Sequence, residues 1–348
     1  MKVALLAHDR FPVAVPFAGG LESFTWHLAR GLRDRGVDVV LFAGPGSDPA
    51  LDVEELAFSP VQMSDSSRRD LALPPGDQVR ETAAYLQVMT ALAQRADIDI
   101  VHNNSLHYLP ITLARTLPAP VLTTLHTPPN PWLETALRLV PDARTAAVSD
   151  AVATMWQEIA TARVIRNGVD LTSWRPGPGR EALVWFGRIV PEKAPHLAVR
   201  LARAAGLPLR LAGPVGDRRY FDAEVAPLLG QGIEHVGHVG PERLRDLVGS
   251  SAACLVTPAW DEPFGLVAAE AMACGTPVLA FARGGLPEVV RPPGGLTVDP
   301  RAPVAEMVAA LGEVLKLERG AVRRHAETHC SLAAMIDAYL NLYGELVR

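Results

Sequence analysis

Two α/β domains, each a parallel sheet with helices on its faces, are predicted by three observations. Short apolar strands alternate with amphipathic helices from Val3 to Phe281, the pattern of successive βαβ units. The alternation stops between Val169 and Arg180, where Trp174, Pro176, Gly177, Pro178 and Gly179 read as a linker, and then restarts. The chain of 348 residues also exceeds what one hydrophobic core usually holds. The domains are placed at residues 1–170 and 171–330.

In the first half, Val3–Ala7 is a strand and His8–Ala18 a Pro-containing loop, after which Gly19-Gly20 opens a helix. Leu21, Phe24, Leu28 and Leu32 recur at helical spacing and Gly36 closes that helix, before the strand Val37–Phe42. Residues 44–78 read as loop with one strand near Leu56. A helix over Thr82–Ala96, the strand Ile98–His102, a helix near Tyr108–Thr116 and the strand Val121–His126 follow. Thr127–Pro131 is too rich in proline for anything but a loop. Trp132–Val140 is helical, Thr145–Val148 a strand, Ser149 caps a helix reaching Ala160, and Val164-Ile165 is a last short strand. The second half has strands at Leu183–Phe186, Leu207–Leu211, Ile233–Val236, Ala253–Val256 and Val278–Phe281, and helices at 195–205, 220–229 and 241–249. A helix after Glu262 and two C-terminal helices complete it.

Composition narrows the function. With 49% hydrophobic and 20% charged residues the chain is globular, and a net charge of −5 argues against a nucleic-acid binder. No apolar run has the length of a bilayer span, and Met1-Lys2 leads into a strand rather than a signal peptide. Cys254, Cys274 and Cys330 sit in or beside apolar segments and read as reduced core residues of a cytoplasmic protein. Lys2, Lys193 and Lys316 are the only lysines, which marks Lys193, in a loop after a predicted strand. The first loop has Ala7-His8-Asp9-Arg10 where a dinucleotide fold has G-x-G-x-x-G, so a nicotinamide enzyme is disfavoured.

Two stretches carry chemistry. In Asp261–Gly275, Glu262 stands in a Pro/Gly turn and Glu270 eight residues later on an apolar helix, about 12 Å further along its axis by helix rise. The N–H groups around Phe264, Gly265 and Leu266 can hold a phosphate at the helix start. Carboxylates on either side then suit the hydroxyls of a nucleotide sugar. A helix that begins with one acid and carries another on its wet face reads equally well. In Gly187–Lys193, Arg188 and Lys193 can converge on one anion past a strand end, each charge-assisted bond being worth about 1.5–3 kcal/mol. A solvated loop is the plain alternative there.

Taken together, G-R-x-x-x-x-K, E-P-F-G-L-x-x-x-E, Gly19-Gly20 and Asn167-Gly168-Val169-Asp170 resemble the retaining GT-B glycosyltransferases of family GT4, over nearly the whole chain. The resemblance implies two Rossmann-like domains facing each other across a cleft, with the helix about 331–348 returning to the N-terminal domain. It implies that Arg188 and Lys193 bind the donor diphosphate, that Glu270 binds the ribose, and that Glu262 with Phe264, Gly265 and Leu266 holds the sugar and distal phosphate. Gly19 and Gly20 would approach the diphosphate from the other domain. Gly213, His238 and Val239 would line the nucleobase site. His126 would face the sugar and acceptor as a catalytic group beside Glu262, Arg188 and Lys193. His102 and Trp132 are weaker acceptor-site candidates. The sequence departs from the family at Ala194, where glycine is usual after the lysine.

The resulting expectation is a retaining, metal-independent transfer of a hexose from a UDP- or GDP-linked sugar to an acceptor hydroxyl, with no cofactor. A nucleotide-sugar epimerase, a sugar phosphorylase and, further off, a two-domain sugar-binding protein are the alternatives. Asp97-Ile98-Asp99 spells a metal-binding D-x-D but lies at a strand entry, and His325 with His329 reads as a surface helix face, so no metal is expected. The partners are a nucleotide-sugar donor and an unidentified acceptor; oligomeric state is left open.

Overall fold

A computed structural model describes residues 1–55, 63–72, 74–180 and 182–348. They form two compact units: Met1–Ala147 with Ala153–Val164 and Ile336–Arg348, and Val148–Val152 with Ile165–Met335.

Among the described residues of the first unit, seven strands make one sheet: β1 (Lys2–Leu6), β2 (Asp38–Ala43), β3 (Val53–Glu55), β4 (Ile100–Asn103), β5 (Val121–Leu125), β6 (Arg144–Ala147) and β7 (Ala162–Val164). Their order is β3-β2-β1-β4-β5-β6-β7, and each neighbouring pair is parallel. The central strands are continuous apolar runs because helices cover both faces. Ala4, Leu6, Val40, Phe42 and Val101 pack with Val88, Met89 and Leu92 of the helix Gly76–Leu92. Phe24, Leu28 and Leu32 of the helix Gly20–Arg33 are also buried. Strand order reverses between β1 and β4.

Among its described residues the second unit holds six parallel strands, β8 (Leu183–Phe186), β9 (Leu209–Ala212), β10 (Ile233–Gly237), β11 (Cys254–Val256), β12 (Val278–Phe281) and β13 (Gly295–Val298), in the order β10-β9-β8-β11-β12-β13. Here the reversal falls between β8 and β11. Leu183, Trp185, Leu209, Leu211, Leu255, Leu279 and Phe281 form the core with Ala198, Val199 and Ala202 of the helix Pro195–Ala205 and Met307, Leu311 and Val314 of the helix Val304–Val314.

Several expectations change. The stretch 169–180 is not a free linker. Gly177 N–H donates to Cys274 O (3.1 Å), Gly179 N–H to Gly249 O (3.1 Å), and Val169 exchanges backbone bonds with Cys330 and Leu332. A Cβ on Gly177 would lie 2.3 Å from the Gly249 backbone, so glycine permits this close strap. The whole strap lies within the second unit, whose main run is Ile165–Met335. The helix expected over 220–229 is a short helix (Arg218–Tyr220), a π turn (Phe221–Val225) and a 3-10 turn (Ala226–Leu228), because Pro227 cannot extend a regular helix. The helix placed at Thr82 begins at Gly76. Near Leu56 the observed strand is Val53–Glu55, and Leu56 itself lies outside the described residues. β13 was not anticipated, and three helices rather than two end the chain: Val304–Val314, Arg319–His329 and Leu332–Leu346.

Candidate active site

Ligands of open parallel sheets sit beyond the carboxyl ends of the strands where strand order reverses. In the second unit that place lies between β8 and β11, and the loops leaving those strands carry the marked residues. Gly187 follows β8 at φ 144° and Gly213 follows β9 at φ 143°. Gly187 N–H donates to Ala212 O and Gly213 N–H to Gly237 O, and a Cβ on Gly213 would stand 1.9 Å from the Gly187 carbonyl oxygen. Only glycine fits at Gly213. His238, exposed, and Val239, half-buried, follow β10 on the same edge.

Past Gly187, Arg188 is exposed and forms no ion pair among the described residues. The loop turns on Lys193 N–H and Ala194 N–H, which both donate to Val190 O, and the next helix starts at Pro195. Ala194 is fully buried at φ 46°, ψ 52°, the left-handed region. The geometry glycine would adopt is therefore kept with a methyl group, and the loop is held by its neighbours: Thr257 Oγ1 donates to Ala194 O, and Ala259 N–H to Glu192 O (2.8 Å).

This loop brings Lys193 to Glu262. The ammonium Nζ lies 2.6 Å from Glu262 Oε2 and 5.2 Å from the centre of the Trp260 ring, whose Nε1–H donates to the same oxygen at 3.0 Å. The turn carrying Glu262 is fixed from below. Gly285 N–H donates to Glu262 O (2.7 Å), and a Cβ on Gly284, at φ 56°, would meet that oxygen at 2.2 Å. Ser149 Oγ donates to Pro263 O (2.6 Å) and accepts from Val152 N–H, capping the helix that begins at Asp150 as expected. Phe264 is buried. Gly265, at φ 98°, turns the chain into the helix Leu266–Ala273. Ala268 and Ala269 are the first residues to donate back to Gly265 O, so the Gly265, Leu266 and Val267 amides have no backbone partner among the described residues.

Further along that helix Glu270 is half-buried, and no hydrogen bond or ion pair is formed by its carboxyl among the described residues. Burial pushes it up to about 8. Protonated, this carboxyl offers a ligand hydroxyl one acceptor oxygen and one O–H donor, and it becomes a full acceptor when ionised.

The first unit holds the remaining expected residues. His126, just past β5, takes a hydrogen bond to Asn104: Nε2 lies 2.8 Å from Asn104 Oδ1, while Asn104 Nδ2 faces His102 O. The carbonyl oxygen can only accept, so the His126 proton is on Nε2 and Nδ1 is an acceptor. Burial lowers this imidazole to about 3, and Phe24 packs edge-on at 4.7 Å. Gly19 precedes the helix Gly20–Arg33 in extended backbone, with Gly20 exposed at its first position. Trp132 is 60% exposed and stacks on Tyr108 at 5.6 Å.

His102 does not fit the acceptor role expected of it. It is fully buried, with Nδ1 2.6 Å from Tyr343 Oη and Nε2 2.7 Å from Thr124 Oγ1. Both nitrogens are consumed in tying β4 to β5 and to the C-terminal helix, so neither is left for a ligand.

These features invite comparison with known proteins. Residues 18–173 match the model of Glycosyltransferase Family 4, and residues 173–328 that of Glycosyl transferases group 1. A D-inositol 3-phosphate glycosyltransferase of Rhodococcus erythropolis is 30% identical over 83% of this chain and 78% of its own length. The chain belongs to the family 4 glycosyltransferases.

This glycosyltransferase is also 28% identical to a glycogen synthase of Mycobacterium tuberculosis, over 97% of the chain and 91% of that protein. Among solved structures it resembles AviGT4, a glycosyltransferase involved in avilamycin A biosynthesis, with TM-score 0.74 and 25% identity over 99% and 98% of the two chains. Anabaena HepE, solved with UDP and glucose, shares the GT-B fold at TM-score 0.75 and 18% identity, covering 99% and 100%.

Other marked residues of the enzyme are spent on structure. Asp97 binds Arg95 and Lys2, and Asp99 Oδ2 accepts the Lys2 backbone N–H at 2.6 Å. His325, read as part of a surface face, is buried and donates from Nε2 to Val289 O. Among the described residues no group of three or more His, Cys, Asp or Glu side chains is placed to hold a metal ion. No described helix is long and apolar enough to cross a membrane, and the three cysteines are free and buried. Sequence reasoning passed over Trp260 and Asn104. Only the position of Trp260, two residues before Glu262, could have marked it, and Asn104 gave no signal.

Proposed function

We propose that the enzyme transfers a hexose from a UDP- or GDP-linked sugar to an acceptor hydroxyl, with retention of anomeric configuration and without a metal. The observation that carries this reading is the convergence, at the switch point of the second sheet, of Lys193, the Glu262 turn and the open amides of the helix Leu266–Ala273. A cation and a helix N-terminus together suit a diphosphate that gains charge as it leaves.

In this reading Lys193 and Arg188 take the diphosphate, and the amides at Gly265 and Leu266 its distal phosphate. Glu262 turns to the hexose hydroxyls, Glu270 to the ribose, and the Gly213 and His238–Val239 backbone to the base. Gly19 and Gly20 give the diphosphate backbone room. His126, neutral and with no partner for Nδ1 among the described residues, accepts a hydrogen bond from a sugar or acceptor hydroxyl. The leaving phosphate itself receives the acceptor proton, and the protein supplies charge and position.

A thermal-shift panel of UDP, GDP, their hexose conjugates and unrelated nucleotides, each with and without EDTA, tests the reading. Stabilisation by one nucleoside diphosphate and its sugar, unaffected by EDTA, is expected, with NMR of the product showing the donor's own anomer. An inverted product removes the retaining mechanism, and loss of activity in EDTA removes metal independence.

A further inference from the structure

The first sheet has its own switch point, between β1 and β4. The residues leaving those strands are ones the donor reading does not use. His8 and Asp9 follow β1, while His107 and Tyr108 follow β4. The helix Gly76–Leu92 adds Glu81 and Tyr85. Tyr85 Oη donates to Ala7 O at 2.9 Å, and its ring stacks on His107 at 4.4 Å. His107 stacks on Tyr108 at 4.5 Å and Tyr108 on the exposed Trp132, making a continuous aromatic row from core to surface.

The hydrogen-bonding groups beside this row are defined by what they already hold. His8 Nδ1 accepts Arg10 N–H (3.0 Å) and His107 Nδ1 accepts Leu109 N–H (3.2 Å), so each ring carries its proton on Nε2. His8 is 9% exposed and His107 6%, and no partner for either Nε2–H is found among the described residues. Burial lowers both to about 4, so both are neutral N–H donors. Asp9 Oδ1 is buried without a hydrogen-bond partner. It lies 3.3 Å from His8 Nδ1, but that nitrogen's lone pair is turned to Arg10. Glu81 is half-buried, and burial and then the charge of Asp9 raise its carboxyl. Of the cations near Asp9, Arg80 is held by Asp77 (2.8 Å), which leaves Arg10 against two carboxylates.

Two neutral N–H donors beside two carboxylates match hydroxyls, each of which donates one hydrogen bond and accepts others. A phosphate only accepts, and here it meets two carboxylates against the single charge of Arg10. We infer that this cluster of side chains forms the acceptor subsite and takes a hydroxyl-rich sugar or cyclitol bearing no phosphate, with Asp9 and Glu81 accepting hydrogen bonds from its hydroxyls and Tyr108 and Trp132 covering its less polar face. The inference rests on the glycosyl-transfer reading above.

The test compares matched acceptors with UDP-glucose and with GDP-mannose as donors: myo-inositol against myo-inositol 3-phosphate, and glucose against glucose 6-phosphate. Acceptor-dependent release of nucleoside diphosphate is expected to show kcat/KM at least tenfold higher for the unphosphorylated member of a pair. Glu81→Gln should raise KM for that acceptor about tenfold with little change in kcat, and Glu81→Arg should move the preference toward the phosphorylated member. Asp9→Asn provides a second variant with the same expected rise in KM. Equal use of both members, preference for the phosphorylated one, use of neither, or an unmoved KM in both neutral variants would overturn the inference while leaving donor binding intact. If neither nucleotide nor nucleotide sugar binds in the thermal-shift panel, the glycosyl-transfer reading itself has failed.

Discussion

Lys193 and Glu262, sixty-nine residues apart in the chain, meet at 2.6 Å beside Trp260, whose ring faces the ammonium and whose N–H holds the carboxylate. The ammonium is thus neutralised by a carboxylate, and a diphosphate must take it over. Lys193→Ala should lower turnover by about 10²–10³-fold, as loss of a preorganised charge on a leaving group does. Glu262→Gln removes the competitor and should tighten UDP binding about three- to tenfold, or about 1 kcal/mol, while transfer falls. Calorimetry of UDP binding beside steady-state kinetics checks the opposite signs; parallel losses in both would mean that Glu262 holds the nucleotide rather than the sugar.

Glu270 offers a pH signature. Its folded value of about 8 lies above the ordinary carboxylate range, so between pH 4.5 and 8 the folded protein holds a proton that the unfolded chain has released. This group's contribution therefore makes stability fall as pH rises through that window. Glu270→Gln should lose less stability than the parent between pH 6 and 8.5 in thermal melts. Ribose hydroxyls favour the ionised carboxylate, so donor binding near pH 7 should release a fraction of a proton. Calorimetry in buffers of different ionisation enthalpy measures that release.

Asn104 fixes the His126 tautomer through a 2.8 Å bond. Asn104→Ala should lower acceptor-dependent turnover about tenfold by freeing the ring, with donor affinity unchanged. Since His126 titrates near 3, the pH–rate profile above pH 5 should contain no limb from it. A limb near pH 6 that vanishes in His126→Ala would contradict this.

Ala194 holds a left-handed conformation with no exposed surface. Ala194→Gly relieves the backbone and should change stability by no more than about 1 kcal/mol, whereas Ala194→Val adds a branched side chain there and should cost about 2–3 kcal/mol. Thermal unfolding separates the two.

Arg319 donates to the carbonyls of Gly177, Gly249, Ser251 and Cys274 and to Thr276 Oγ1. Arg319→Ala leaves several carbonyls with fewer donors and should cost about 3 kcal/mol or more, read from denaturant melts.

Much was decided by the sequence alone. The alternation of apolar strands and helices, the restart after residue 180, and the Gly-Arg…Lys and Glu-Pro-Phe-Gly-Leu…Glu spacings were all readable, because period and turn chemistry are local properties of the chain. Ser149 as a cap and Glu262 in a tight turn belong to the same class. Partnership was not readable. His102 and His126 both lie at the ends of strands of one sheet, yet His102 is consumed by Tyr343 and Thr124 while His126 keeps one nitrogen without a partner among the described residues. The strap at 169–180 looks like a linker until Arg319 is folded against it, and Asp9 gains meaning only when Glu81 is brought near. A strand's pattern records that its faces are covered, but not by what. Sheet order, which sets β1 beside β4 and β8 beside β11, puts distant side chains within hydrogen-bonding reach, and that order exists only in the folded chain.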